Sequence, residues 1–367
     1  MNSPDLGRLP DPSFWGGRRV LLTGHTGFKG SWLARWLGLL GAEVHGVALE
    51  PPTSPSIFNV AAVREVLAGD QRVDLRSGPQ TLNAVERIAP EIVLHLAAQP
   101  LVRDSYREPG MTYATNVAGT AHLLDALVNA TTRPSAVVVV TSDKVYRSLS
   151  NGAAHTEESA LGGTDPYSSS KSLVEEIVDV FRRLPAINGR AAWDVPVATA
   201  RAGNVIGGGD WSRERLVPDC IRSFAAGTAV ELRYPGAVRP WQHVLDPLAG
   251  YLLLAEQLAS GVATPSSVNF GPLNDGDGGL TVSEVARAVA SMWGADERLV
   301  IERPDEATPE TAELKLDSSL AESALAWVPR WDVREALART VEWYRGYAVG
   351  QSGAKLTDGH IHKYTNE

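Results

Sequence analysis

The stretch Val20-Leu21-Leu22-Thr23-Gly24-His25-Thr26-Gly27-Phe28-Lys29-Gly30 reads as a short apolar strand, a glycine-rich turn and the opening of a helix at Ser31-Trp32-Leu33. Gly24 allows a tight turn, Gly27 a close approach of backbone to a pyrophosphate, and Gly30 close packing of helix on strand. The helix N-terminus adds free N–H groups and the positive end of a dipole. Strand, turn and helix follow in the order that dinucleotide binding needs. A plain tight turn in an α/β protein is the alternative when the glycines are read alone.

Outward from that turn, strand and helix alternate. Helix 30–40 ends at Gly41, and 42–49 reads as a second strand followed by Glu50. Glu50 stands 20 residues past Gly30, the spacing of an acid that bonds the adenosine ribose hydroxyls. No Lys or Arg lies between Leu49 and Val63, which favours NAD over NADP; a solvated loop acid is the other reading of Glu50. Residues 72–76 resemble a short strand that leaves Asp74 and Leu75 at its end. Strand 92–96 runs into Ala97-Ala98, where small side chains let a ribose lie against the backbone, though a plain strand end fits equally. A long helix over 111–129 carries Asn116. Residues 136–140 are apolar without alternation, as in a parallel strand covered on both faces. The pattern predicts an α/β fold: a Rossmann-like doubly wound parallel sheet with a smaller C-terminal substrate-binding lobe.

The expected organisation is a dinucleotide-binding domain over 17–203, with 241–272 returning to it. Residues 204–240 and 273–348 form the smaller lobe, and 1–16 and 349–367 are expected to be mobile. A net charge of −9 argues against nucleic-acid partners or an anionic membrane surface, and no apolar run is long enough to span a bilayer. The single cysteine, Cys220, allows no intramolecular disulfide, and a cytoplasmic protein is expected. No group of His, Cys, Asp and Glu has metal-ligand spacing, so no metal is predicted.

Two segments carry chemistry. Thr141-Ser142-Asp143-Lys144-Val145-Tyr146 follows the 136–140 strand and so lies at the functional edge of the sheet. Tyr167-Ser168-Ser169-Ser170-Lys171 opens a helix, with Tyr167 and Lys171 on one face. An ammonium near a phenol lowers its pKa, so a tyrosinate can accept a hydroxyl proton, while Ser142 holds the substrate oxygen. The set suits oxidation of an alcohol by hydride transfer to a nicotinamide.

With these residues in place, the chain resembles the extended short-chain dehydrogenases/reductases of the nucleotide-sugar branch, and within them the CDP-glucose 4,6-dehydratases. The resemblance runs from about Gly17 to Tyr347. Besides the segments above it rests on Glu50-Pro51-Pro52-Thr53, His95-Leu96-Ala97-Ala98-Gln99-Pro100, Gly203-Asn204-Val205-Ile206-Gly207-Gly208-Gly209-Asp210-Trp211 and Arg239-Pro240-Trp241-Gln242-His243-Val244. The Asp143-Lys144 pair points to the narrower family, since dTDP-glucose dehydratases carry Asp-Glu there and 4-epimerases lack the acid–base pair.

The resemblance implies NAD as cofactor, held by Gly24, Thr26, Gly27, Phe28, Lys29, Gly30, Glu50, Asp74, Leu75, Ala97, Ala98, Asn116, Tyr167 and Lys171. It implies a CDP-glucose substrate contacted by Gln99, Asn204, Arg215 and Arg239, and assembly as a homodimer or dimer of dimers. Catalysis falls to Ser142, Asp143, Lys144, Tyr167 and Lys171. Tyr167 takes the C4 hydroxyl proton with Lys171 tuning it, Asp143 serves the C6 oxygen, and Lys144 removes the C5 proton. A dTDP- or GDP-sugar dehydratase, a 4-epimerase, and a non-catalytic NAD-binding regulator are the competing readings.

Overall fold

The computed structural model describes residues 7–148, 153–186, 192–272, 279–303 and 314–367. Among the described residues eleven strands form in chain order: β1 (Arg19–Thr23), β2 (Glu43–Ala48), β3 (Gly69–Arg72), β4 (Ile92–His95), β5 (Ala136–Val140), β6 (Val197–Ala202), β7 (Val205–Ile206), β8 (Val230–Leu232), β9 (Gln242–His243), β10 (Ser267–Phe270) and β11 (Val300–Glu302). Seven of them make one parallel sheet in the order β10-β6-β5-β4-β1-β2-β3. The chain leaves β1 toward β2 and β3, then crosses back to β4 on the other side. Between β1 and β4 the winding reverses, and there the carboxyl ends open a crevice.

Apolar side chains cover both faces, as the unbroken run in β5 requires. Ala136, Val138 and Val140 pack into one core with Val20 and Leu22, while Val137 and Val139 pack into the other with Leu21 and Val93. The expected doubly wound sheet therefore forms, and β10 joins it beside β6.

Four local expectations differ. The strand expected over 72–76 lies earlier in the chain, as β3, and only Arg72 is shared. The long helix over 111–129 is broken into Pro109–Tyr113, a π-helical turn Ala114–Ala118 and Gly119–Asn129. The N-terminal arm is not loose within its described part: Asp11 caps helix Pro12–Trp15, and the buried Trp15 donates from Nε1 to Glu256 at 2.8 Å. Residues 1–6 lie outside the described residues. The tail expected to be mobile is helix Gly353–Asn366. Gly353, Thr357, His360, Ile361 and Tyr364 form its buried stripe at helical spacing, and Arg35 donates to Asp358 at 2.9 Å. Small and polar members of that stripe hid it from a reading by hydropathy.

Candidate active site

The glycine turn is built as its spacing requires. Gly24 has φ +76°, and a Cβ there would stand 2.7 Å from the backbone nitrogen of Ala97. A Cβ on Gly30 would stand 2.2 Å from the carbonyl oxygen of Gly24. Gly27 caps helix Phe28–Leu39, whose first N–H groups face the crevice. Thr26 donates from Oγ1 to the carbonyl of Leu49 at 3.0 Å, tying the turn to the end of β2. The bare backbone at the helix start and the small Ala97 and Ala98 beside it fit a dinucleotide such as NAD.

One cleft of about 1170 Å³ joins this turn to the ends of β4, β5 and β6. Gly24, Thr26, Gly27, Phe28, Lys29, Gly30, Glu50, Asp74, Leu75, Ala97 and Ala98 line its cofactor half. Ser142, Asp143, Lys144, Tyr167, Lys171, Asn204, Arg215 and Arg239 line the other. Two predicted contacts do not reach it. Gln99 spends its side chain on its neighbours, donating from Nε2 to the Leu101 carbonyl and the Thr112 hydroxyl at 3.0 Å each. Asn116, on the π-helical turn, accepts from the Gln99 N–H at 2.8 Å and donates to Ser170 Oγ at 2.9 Å. Ser170 in turn donates to the carbonyl of Tyr167 at 2.7 Å, so Asn116 braces the catalytic helix from behind.

That helix, Pro166–Arg182, starts with Pro166 at its first position and Asp165 as cap, accepting from the Ser168 N–H at 3.0 Å. Ser105 Oγ accepts from the Tyr167 N–H at 3.1 Å. Tyr167 and Lys171 therefore enter the site from a fixed first turn. Lys171 donates from Nζ to the carbonyl of Val140 at 3.1 Å, and burial brings its pKa down to about 8. The phenol departs from expectation. Burial pushes Tyr167 above its ordinary value, against the pull of the hydrogen bond to Ser142 and of the Arg215 charge.

Asp143 and Lys144 form a short 3-10 turn capped by Ser142, which accepts from the Lys144 N–H at 3.2 Å. Ser142 Oγ also donates to Asp143 Oδ1 at 3.0 Å. Asp143 is buried, and burial raises its pKa against the pull of Lys144, Ser142, Lys29 and Arg239. A carboxyl whose protonated form is favoured by burial is a usable acid. Arg215 lies 3.7 Å from Asp210, and Arg239 donates to the Val238 carbonyl at 3.0 Å.

Sequence reasoning missed several supports. His95 at the end of β4 bonds Thr23 at 2.7 Å and Thr120 at 2.9 Å. Thr23 Oγ1 accepts from the N–H groups of Leu96 and Ala97, so its proton goes to His95 Nδ1 and the imidazole donates from Nε2. Burial holds His95 down to about 3, consistent with that neutral form. Arg72, from the neighbouring β3, places Nε 3.2 Å from Glu50 and also pairs with Asp70. A search of the chain around Glu50 could not find it. Glu214, with φ +62°, reaches Arg103 at 3.3 Å and Arg107 at 3.6 Å across the cleft mouth. Trp211 and Trp241 line the cleft, while His243 is buried with its ring 4.7 Å from that of Trp331.

With the site assembled, comparison with known proteins gives it a family. The profile described as GDP-mannose 4,6 dehydratase matches residues 21–340. The CDP-glucose 4,6-dehydratase of Salmonella typhimurium is 42% identical over 346 residues, 93% of this chain and 94% of that protein. The chain belongs to the nucleotide-sugar 4,6-dehydratase family. Within the family, the dTDP-glucose 4,6-dehydratase of Streptomyces griseus is more distant, at 29% identity over 89% of this chain and 93% of that protein. The dTDP-glucose 4,6-dehydratase of Streptomyces venezuelae, solved with NAD and TYD bound, superposes with a TM-score of 0.76 at 27% identity, covering 92% of this chain and 100% of that one.

Proposed function

We propose that this 4,6-dehydratase acts on CDP-glucose, giving CDP-4-dehydro-6-deoxy-glucose and water with NAD as a resident cofactor. The observation that carries the reading is the Ser142-Asp143-Lys144 turn at the end of β5, set against Tyr167 in one cleft with a dinucleotide turn. The high identity to a CDP-glucose enzyme supports the choice of base. When bound, NAD would supply a reversible hydride acceptor for the C4 hydrogen, returned to C6, so that the overall reaction is redox-neutral.

The residues divide the proton work. Tyr167, hydrogen-bonded to Ser142, takes the C4 hydroxyl proton, and Lys171 supplies positive charge one helical turn away. The resulting 4-ketone makes the C5 hydrogen acidic. Lys144 removes that proton, and Asp143 donates its own to the departing C6 hydroxyl. Asn204, Arg215 and Arg239 serve the nucleotide diphosphate, whose oxygens match guanidinium forks.

A second copy of the chain fits the outer face of helix Pro166–Arg182. Leu173 and Val180 lie seven residues apart on it and are 42% and 52% exposed. Tyr106 and Met111, on the neighbouring helices Val102–Arg107 and Pro109–Tyr113, are also exposed. This supports a homodimer, or a dimer of such dimers. The lone buried Cys220 supports a reducing, cytoplasmic setting.

Mass spectrometry of separate incubations with CDP-, dTDP-, UDP- and GDP-glucose decides the substrate. Loss of one water from CDP-glucose is expected. Loss from another sugar nucleotide alone overturns the base assignment, and an unchanged mass with a 4-epimer seen by NMR overturns the elimination.

A further inference from the structure

Phosphate recognition by a glycine turn uses backbone N–H groups and the helix dipole, and it needs no side chain at the position of Lys29. Lys29 nevertheless points its ammonium away from the helix axis and into the catalytic half of the cleft. Part of its stem faces the cleft, while the ammonium is enclosed. There Nζ donates to the hydroxyl of Tyr251 at 3.3 Å and stands 5.8 Å from the ring centroid. Tyr251 is fully buried on helix Leu245–Ala259, and its phenol feels the charges of both Tyr167 and Asp143. A lysine serving a pyrophosphate alone has no use for a buried phenol on the neighbouring helix.

The charges around this pair come from every wall of the cleft. Lys29 faces Arg215, Asp143 and Lys171. Asp143 faces Lys144, Ser142, Lys29 and Arg239, and it acts on Tyr167 and Tyr251. Asp143 is thus the acid of this group and Lys29 one of its three cationic neighbours. Desolvation, with Arg215 and Lys171 beside it, brings Lys29 down to about 7. Its charge is therefore lost and regained near neutrality.

We propose that Lys29 is a positioning residue for the elimination, the enclosed positive charge that governs how readily Asp143 gives up its proton, with Tyr251 holding that charge in place. The inference rests on Asp143 as the acid at the C6 oxygen. A buried carboxyl alone keeps its proton too firmly to be a good donor. An adjacent ammonium favours the carboxylate that donation leaves behind, and it does so without touching the substrate.

The test is a ¹³C NMR titration of the NAD-loaded enzyme labelled at the aspartate carboxyl carbons, with the Asp143 resonance assigned by its loss in D143N. In K29M the Asp143 midpoint is expected to rise by about one pH unit, the scale of a lost neighbouring charge. In K29R it stays within a few tenths of a unit of wild type. The alkaline limb of kcat moves up with the midpoint, which a purely structural role would not produce. A midpoint that is the same in wild type and K29M overturns the proposal. Should K29M fail to fold, Y251F carries the test, with a smaller rise expected and an unchanged midpoint overturning it. Full water loss by D143N would instead refute Asp143 as the acid, a result read independently of the titration.

Discussion

Asp143 lies directly over Gly203: a Cβ at position 203 would stand 2.9 Å from Oδ2 of the carboxyl and 2.8 Å from Cγ of Pro240. Gly203 follows β6, so the end of one strand forms the seat for the carboxyl that follows its neighbour β5. Gly203→Ala should displace Asp143 by a few tenths of an ångström to an ångström, because Pro240 blocks the other direction. Turnover is expected to fall on the order of 10- to 100-fold with the fold retained, a typical cost of misplacing a reacting group. Steady-state kcat beside a thermal melt checks it; unchanged kcat would mean that Asp143 is not in the reaction.

Tyr167→Phe removes the hydroxyl that bonds Ser142 and leaves the ring packed. Loss of the C4 proton acceptor should lower kcat by roughly 10² to 10⁴. NAD content of the purified variant should match wild type, because the glycine turn is untouched. Turnover at the wild-type rate would remove Tyr167 from the mechanism.

Asp246 gives a prediction about stability and pH. It is fully buried, accepts from the Arg330 N–H at 2.8 Å and from the Tyr364 hydroxyl at 2.9 Å, and is pushed up to about 7 by burial. An acid whose folded pKa is raised binds a proton in the fold that the unfolded chain has already released. Its contribution is present below the unfolded value of about 3.9 and is lost as pH rises to the folded value. Asp246→Asn keeps the accepting oxygen and removes the titration. Chemical denaturation should show wild type losing ground to this variant from about pH 4 to 7, by at most ~1.4 kcal/mol per pH unit. A constant difference across that range would place the ionisation elsewhere.

Leu173→Glu with Val180→Glu should split the assembly, because two carboxylates would face two others across a self-matching patch. Light scattering should report about half the wild-type mass. Wild-type protein that already runs as a monomer would refute the interface.

Much of this was legible in the sequence because the relevant signals are local. The glycines at 24, 27 and 30, the all-apolar β5 and the Tyr167–Lys171 spacing each declare themselves within a few residues. What stayed hidden depends on neighbours across the sheet. Arg72 meets Glu50 only because β3 pairs with β2, and Gly203 meets Asp143 only because β6 pairs with β5. Gln99 stood as a substrate contact only through the family resemblance, yet the turn itself consumes its amide. The raised Tyr167 shows the same limit, since spacing places an ammonium near a phenol but says nothing of how much water remains. The C-terminal helix was missed for a different reason: its buried face is written in Gly, Thr and His as much as in Ile and Tyr.

The meeting of Arg72 with Glu50 bears on which form of the nicotinamide dinucleotide the cleft can accept. A guanidinium at the adenosine end ordinarily welcomes a 2′-phosphate. Here it is held by Asp70 on its own strand and by Glu50 on the next. A phosphorylated ribose arriving there would meet two carboxylates before it met a cation, and it would have to break an existing pair to make its own. An arginine that would mark NADP in isolation therefore works here as a barrier to it. With the adenosine ribose seated at Glu50, the carboxylates that already occupy the guanidinium would weigh against the phosphorylated cofactor.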